Sequence, residues 1–278
     1  MRKLRTLAVF MLCVCLALGL LFWNNFVIQT EQVHIQLENL PSSFDGFRIV
    51  SITDLHGREF DEDNTYLLSS VRQLQPDIIC ISGDLFDERS ELSVLQPLVS
   101  GLCEIAPTFY VTGNHEWQKS GLRKILSELE SYGATVLQNE YTVLCRGEER
   151  LVVAGVNDPC GPYDQKTPQE LVKEIRQKEE DACIVMLSHR NDELAMWSEL
   201  GVDLVLSGHC HGGVVRLPFV GGVFGTNREL FPEYDAGLYE QNGTQLYVSR
   251  GLGYSNVRLR LFNRPHLPLL ILQQADDE

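Results

Sequence analysis

Five short apolar runs in this chain share one property: each leads at once into residues that bind and move charge. Arg48–Thr53 (RIVSIT) leads to Asp54 and His56, and Asp77–Ser82 (DIICIS) to Gly83, Asp84 and Asp87. Thr108–Thr112 (TFYVT) leads to Gly113, Asn114, His115 and Glu116, and Cys183–Ser188 (CIVMLS) to His189. Val202–Ser207 (VDLVLS) leads to Gly208, His209, Cys210, His211, Gly212 and Gly213. Near-continuous apolar runs of this length read as strands covered on both faces. A sixth such run is Leu151–Ala154. Between them lie helical spacings: Tyr66, Leu67, Leu68, Val71 and Leu74 before Pro76, and Leu122, Ile125, Leu126 and Leu129 before Gly133. Pro168–Lys178 follows Thr167, a capping residue with proline at the first helical position. The alternation specifies an α/β fold. Ligands of α/β sheets gather outside the carboxyl ends of strands, so the five loops are expected to converge.

Singly, the motifs differ in weight. Asp54-x-His56 is an ordinary strand-end turn, and Gly83-Asp84 is a common turn dipeptide. Gly113-Asn114-His115-Glu116 says more, because polar and flexible residues follow a β-branched run. His209-x-His211 among Gly208, Gly212 and Gly213 says most, since glycines admit close backbone approach to paired imidazoles. Cysteine chemistry does not compete with this cluster. Cys13 and Cys15 lie in the N-terminal apolar run, Cys80 and Cys183 in strands, and Cys103, Cys145, Cys160 and Cys210 are scattered without a CxxC pair. With 23 Lys and Arg against 38 Asp and Glu, a net charge of −15, the chain lacks the cationic footprint of a nucleic-acid binder.

The N-terminus departs from a soluble pattern. Arg2, Lys3 and Arg5 precede 17 uncharged residues, Leu7–Trp23. That length reaches the short end of a bilayer span, exceeds a secretory h-region, and is not followed by a small-residue cleavage site. An uncleaved signal anchor therefore outranks a cleaved signal peptide. The charge asymmetry places the N-terminus in the cytoplasm and the rest on the extracytoplasmic side of the cell membrane, as a single-pass protein. Residues 1–30 form the cytoplasmic tip and anchor, and residues 31–278 one domain. Residues 24–47 read as a connector, with Val33–Leu37 an early edge strand.

Taken in order, Asp54-x-His56, Gly83-Asp84-x-x-Asp87, Gly113-Asn114-His115-Glu116, His189 and Gly208-His209-x-His211 resemble the signature of the calcineurin-like metallophosphoesterases, over about residues 45–265. The anchor, the GHxHGG block and the late Leu246–Gly253 segment resemble the membrane-associated bacterial branch, which includes relatives of UDP-diacylglucosamine diphosphatases. The resemblance implies a four-layer sandwich, two facing mixed sheets flanked by helices, behind the transmembrane helix. It implies two divalent transition metal ions. One is assigned to Asp54, His56, Asp84 and His211, the other to Asp84, Asn114, His189 and His209, with Asp84 bridging. Carboxylate, amide and imidazole ligands without thiolate suit Mn, Fe, Zn or Ni. His115 matches the residue that stabilises or protonates the reacting phosphoryl group, while Asp87 and Glu116 match residues that orient the ligands without binding metal.

The family pattern is broken at Cys210 and Val214, and after His189, where Arg190-Asn191-Asp192 stands. Arg190 either contacts a substrate phosphate or faces solvent. His34 and His266 belong to no cluster and read as surface residues. Arg250, Arg258, Arg260 and Arg264 read either as a solvated, salt-bridged face or as one meeting a phosphate or lipid headgroup. Gly212–Gly225 reads as loop and strand lining the site. The expected activity is hydrolysis of a phosphodiester or diphosphate, lipid-linked by virtue of the anchor, through a metal-bridging hydroxide. The alternatives are a broad phosphomonoesterase and a catalytically silent, membrane-anchored binding module.

Overall fold

Each buried apolar run becomes a strand, and the strands divide between two six-stranded sheets. The computed structural model describes residues 2–162, 164–213, 215–226, 229–255 and 259–275. The chain opens with α1 (Arg2–Phe26) and β1 (Gln29–Leu37), then alternates β2 (Arg48–Ile52), α2 (Thr65–Gln73), β3 (Ile78–Ser82), α3 (Leu95–Cys103), β4 (Thr108–Val111), α4 (Leu122–Ser131) and β5 (Thr135–Val136). The second half runs β6 (Glu140–Arg146), β7 (Glu149–Gly155), α5 (Pro168–Lys178), β8 (Cys183–Leu187), α6 (Leu194–Glu199) and β9 (Leu204–Ser207). A small hairpin follows, β10 (Arg216–Leu217) with β11 (Gly221–Gly222), and then β12 (Gly237–Gln241), β13 (Thr244–Val248) and β14 (His266–Gln274).

The first sheet has the order β1-β14-β2-β3-β4-β5, with β2 to β5 parallel and β14 antiparallel to β2. The second has the order β12-β13-β9-β8-β7-β6, parallel in the middle and antiparallel at both edges. Both are mixed, as expected.

Three apolar clusters define the layers. Ile49, Cys80 and Phe109 of the first sheet pack against Val153, Val185 and Leu204 of the second, forming the core between sheets. The outer face of the first sheet packs on Leu67, Leu98 and Ile125 of α2, α3 and α4. The outer face of the second packs on Leu171, Ile175 and Trp197 of α5 and α6. Strands covered on both sides need apolar side chains at every position, which is why these runs do not alternate. The cap at α5 forms as a reciprocal box, Thr167 accepting from the Glu170 N–H and Glu170 from the Thr167 N–H.

The N-terminal region differs from a free connector. Apolar side chains of α1 are exposed, and the helix, with a mean hydropathy of 2.5, is long and apolar enough to cross a membrane, but Asn24 and Asn25 at its end are buried in the domain. β1 begins at Gln29 and pairs in parallel with β14 along its whole length, so residues 29–37 are sheet edge. Two of the late arginines, Arg260 and Arg264, are not a solvated, salt-bridged face either. Arg260 is buried and donates to the carbonyls of Gly253, Asn263 and Arg250, and Arg264 donates to those of Val27 and Ile28. Arg258 and Val214 lie outside the described residues. His34 is exposed as expected. His266 is not a surface residue: it is 2% exposed, its Nε2 donating to Glu31 at 2.9 Å.

Candidate metal centre

The carboxyl ends of β2, β3, β4, β8 and β9 meet where the two sheets come together, and their loops bring seven side chains into one cluster. Asp54, His56 and His211 offer donor atoms within 4.8 Å of one another; so do Asp84, His189 and His209. A third group joins His56, Asp84 and His115. Asp84 stands between the others, its Oδ2 3.7 Å from His56 Nε2 and 3.3 Å from His189 Nε2. His211 Nε2 is 3.5 Å from Asp54 Oδ1.

Backbone geometry forces this convergence. Asp54, His56, Asp84, His209 and His211 all have positive φ, between 50° and 64°. Non-glycine residues rarely adopt that region, and strain of this kind collects at functional sites. Close approach is also needed: a Cβ on Gly83 would lie 2.6 Å from the Gly113 nitrogen, and one on Gly208 would strike Asp54 and Thr53. Glycine is required at both positions.

The hydrogen bonds around the cluster aim lone pairs inward. His189 Nδ1 donates to the Ser82 carbonyl at 2.8 Å, leaving Nε2 directed at Asp84. Thr53 Oγ1 and the His209 N–H both donate to Asp54, and the His115 N–H donates to Asp84 Oδ1 at 2.9 Å. Glu116, fully buried, accepts from the N–H groups of Asp84, Leu85 and Gly113. Asp87 accepts from Ser90 and the Arg89 N–H and lies 3.9 Å from His56 Nδ1, so it shapes the loop beside His56.

Burial pushes His56 down to about 4 and His209 to about 3, keeping both rings neutral. Burial lifts the Asp54 carboxyl to about 6 and that of Glu116 to about 8, the latter also repelled by Asp84. At Asp84 burial also pushes upward, but His189 and His56 outweigh it and hold the carboxyl well below the usual carboxylate range. His189, despite burial, is pushed up to about 10 by Asp84, so a proton and a cation compete for its Nε2.

The donor set fits divalent cations. His56 and His211 place their Nε2 atoms 3.1 Å apart, and His189 Nε2 lies 3.3 Å from His209 Nδ1. Asn114 Oδ1 is buried without a hydrogen-bond partner. Unpaired buried acceptors are costly, and a cation among carboxylates, imidazoles and an amide oxygen satisfies all of them.

Arg190 does not face solvent. Its guanidinium is held by Asp158 at 2.6 and 3.0 Å, and Nη1 lies 3.0 Å from His209 Nε2. Asp158 went unnoticed in the sequence, although the signal was there: β7 leads into Val156-Asn157-Asp158, a polar strand exit like the other five. His115 is the least enclosed member, with its side chain 26% exposed and Nδ1 3.3 Å from Glu88.

A family model described as calcineurin-like phosphoesterase matches residues 47–213. The chain is 27% identical over 258 residues to the uncharacterized metallophosphoesterase YkuE of Bacillus subtilis, covering 90% of this chain and 87% of that one. It is 32% identical over 235 residues to the phosphodiesterase YaeI of Escherichia coli, covering 81% and 82%. To a zebrafish (Danio rerio) transmembrane protein with metallophosphoesterase domain it is 28% identical over 257 residues, covering 87% of this chain and 57% of that longer protein.

Proposed function

This chain belongs to the calcineurin-like phosphoesterase family and is a metal-dependent phosphoester hydrolase, and from that premise we propose that it cleaves a phosphodiester or diphosphate carried on a lipid. One observation carries the lipid reading: the apolar helix α1 is tied to the metal loops by an unbroken run of hydrogen bonds. Asn25 Oδ1 accepts from the Arg260 N–H at 2.8 Å, Arg260 Nε donates to the Gly253 carbonyl, and the Gly253 N–H donates to the Asp54 carbonyl, both at 2.6 Å. A site fixed to a membrane helix meets membrane-borne substrate at raised effective concentration, whereas a soluble ester gains little. In this reading residues 1–30 are the cytoplasmic tip and anchor, and residues 31–278 stand as one catalytic domain outside the cell membrane.

The proposed ligands are Asp54, His56, Asp84 and His211 for one divalent ion and Asp84, Asn114, His189 and His209 for the other. Such ions supply Lewis acidity toward a phosphoryl oxygen and acidify water at neutral pH. The remaining steps belong to the protein. His115, at the exposed side of the cluster, donates a proton to the departing oxygen or steadies the phosphoryl charge. Glu88 beside it orients the ring. Arg190, fixed by Asp158, presents a cation at the His209 side, where a second phosphate of a diphosphate is received.

The test compares kcat/KM of the metal-loaded full chain for a lipid diphosphate in mixed micelles with that for soluble mono- and diesters. A preference for the lipid substrate is expected. A preference for soluble monoesters would instead make the protein a broad phosphomonoesterase, and no turnover of any ester after metal loading would leave a binding module.

A further inference from the structure

Outside α1, ten large apolar side chains are exposed among the described residues, and eight of them fall within residues 217–231 and 259–262. Scattered exposed apolar residues are ordinary, but such concentration marks an interaction surface. Phe219, in the turn between β10 and β11, is fully exposed; Phe231 and Leu230 are more than half exposed. The two segments form one surface. Val215 pairs with Leu261, the Arg216 N–H donates to the Leu261 carbonyl at 3.2 Å, and Phe224 pairs with Leu230.

This surface continues into the end of α1. Arg260, between Leu259 and Leu261, exchanges two hydrogen bonds with Asn25. Arg264 donates to the carbonyls of Val27 and Ile28 and lies 4.3 Å over the Trp23 ring. An aromatic side chain with an arginine over it, at the end of an apolar span, is the composition of a membrane–water boundary. We propose that residues 215–226 and 229–231 with Leu259 and Phe262 form a lip that docks into the headgroup–acyl boundary of the bilayer that α1 enters. The inference rests on reading α1 as membrane-embedded and is independent of the substrate. Its continuity with the helix end selects the bilayer over a protein partner. Because His211 and Gly213 stand four and two residues before Val215, whose N–H donates to the Gly213 carbonyl, the docked lip sets the mouth of the metal cluster against the membrane surface.

The test uses the full chain in proteoliposomes carrying Phe219→Trp, read as a difference from the wild-type fluorescence of Trp23, Trp117 and Trp197. Val220→Trp serves if the first variant misfolds, and Glu148→Trp, in the exposed β6–β7 turn, is the control. The added fluorescence at position 219 is expected to be blue-shifted, and quenched several-fold more than the control by lipids brominated near the headgroup. Water-like emission with no more quenching than the control would overturn the proposal. A blue shift without bromine quenching would assign the lip to a second copy of this chain and overturn it equally. Failure of the chain to float with the liposomes would overturn the reading of α1 and the docking with it, whatever the substrate assays show.

Discussion

Glu116 lies fully buried behind Asp84 and accepts a hydrogen bond from the Asp84 N–H at 3.0 Å. The same carboxylate accepts from Leu85 at 2.7 Å and from Gly113 at 2.8 Å, so one acid behind the cluster holds the loops after β3 and β4 together. Glu116→Gln turns an acceptor oxygen into an NH2 group that faces N–H donors. Metal affinity is expected to fall about 10–100-fold, the usual cost of losing support behind a ligand. Stability is expected to fall by about 1–3 kcal/mol. Metal titration calorimetry and urea unfolding read the two effects separately; unchanged affinity would mean that the loops hold themselves.

Asp84 and His56 should differ in kind. Asp84 lies within 4 Å of donor atoms in both ligand groups, whereas His56 faces His211 on one side. Asp84→Ala is expected to lose both ions together, and His56→Ala about half of the bound metal, as measured by metal analysis of purified protein. Full stoichiometry in Asp84→Ala would remove the bridging assignment.

His115→Ala should separate chemistry from metal binding. The His115 N–H, which positions Asp84, is backbone and survives the substitution. Metal content is therefore expected to hold while kcat falls about 10²–10⁴-fold, the range of general acid catalysis. An ester with a very good leaving group should lose less if the ring protonates that group, and equal losses across leaving groups would indicate electrostatic stabilisation instead.

How much of this was legible in the sequence depends on the distance over which each feature is encoded. The strands and the loops after them were readable because a strand covered on both faces imposes a local pattern, and polar residues that end it break that pattern at once. The cap at Thr167 and the buried face of α4, with Leu122, Ile125, Leu126 and Leu129, were local for the same reason. The left-handed backbone at Asp54, His56 and Asp84 was not, because only convergence of distant loops makes that strain tolerable. Arg260 defeated a composition argument. Late arginines in an acidic chain suggest solvent, yet this one is surrounded by the carbonyls of Gly253, Asn263 and Arg250. Its partner Asn25 is 235 residues away, and no local rule joins them. His266 misled likewise: a lone histidine outside any cluster reads as exposed, but β14 sits inside the first sheet between β1 and β2.

That buried histidine sets a pH limit on stability. His266 accepts at Nδ1 from the Arg250 N–H at 3.4 Å and donates at Nε2 to Glu31, the hydrogen-bond pattern of a neutral ring. Burial pushes its pKa down to about 4; the Glu31 carboxylate opposes the shift, while Arg250 and Arg260 reinforce it. The unfolded ring titrates at its ordinary 6.5. Between those two values the unfolded chain binds a proton that the folded chain does not, so stability is full above about 6.5 and declines as pH falls toward 4. At 1.36 kcal/mol per pKa unit, His266 accounts for a loss of about 2 kcal/mol between pH 7 and pH 5. His266→Gln retains a donor toward Glu31 but cannot titrate. The variant is expected to start less stable at pH 7 and to lose about 2 kcal/mol less than the wild type on acidification, measured by urea unfolding at both pH values. Parallel losses in the two proteins would show that the ring is already protonated in the fold and that Glu31, not burial, governs its charge.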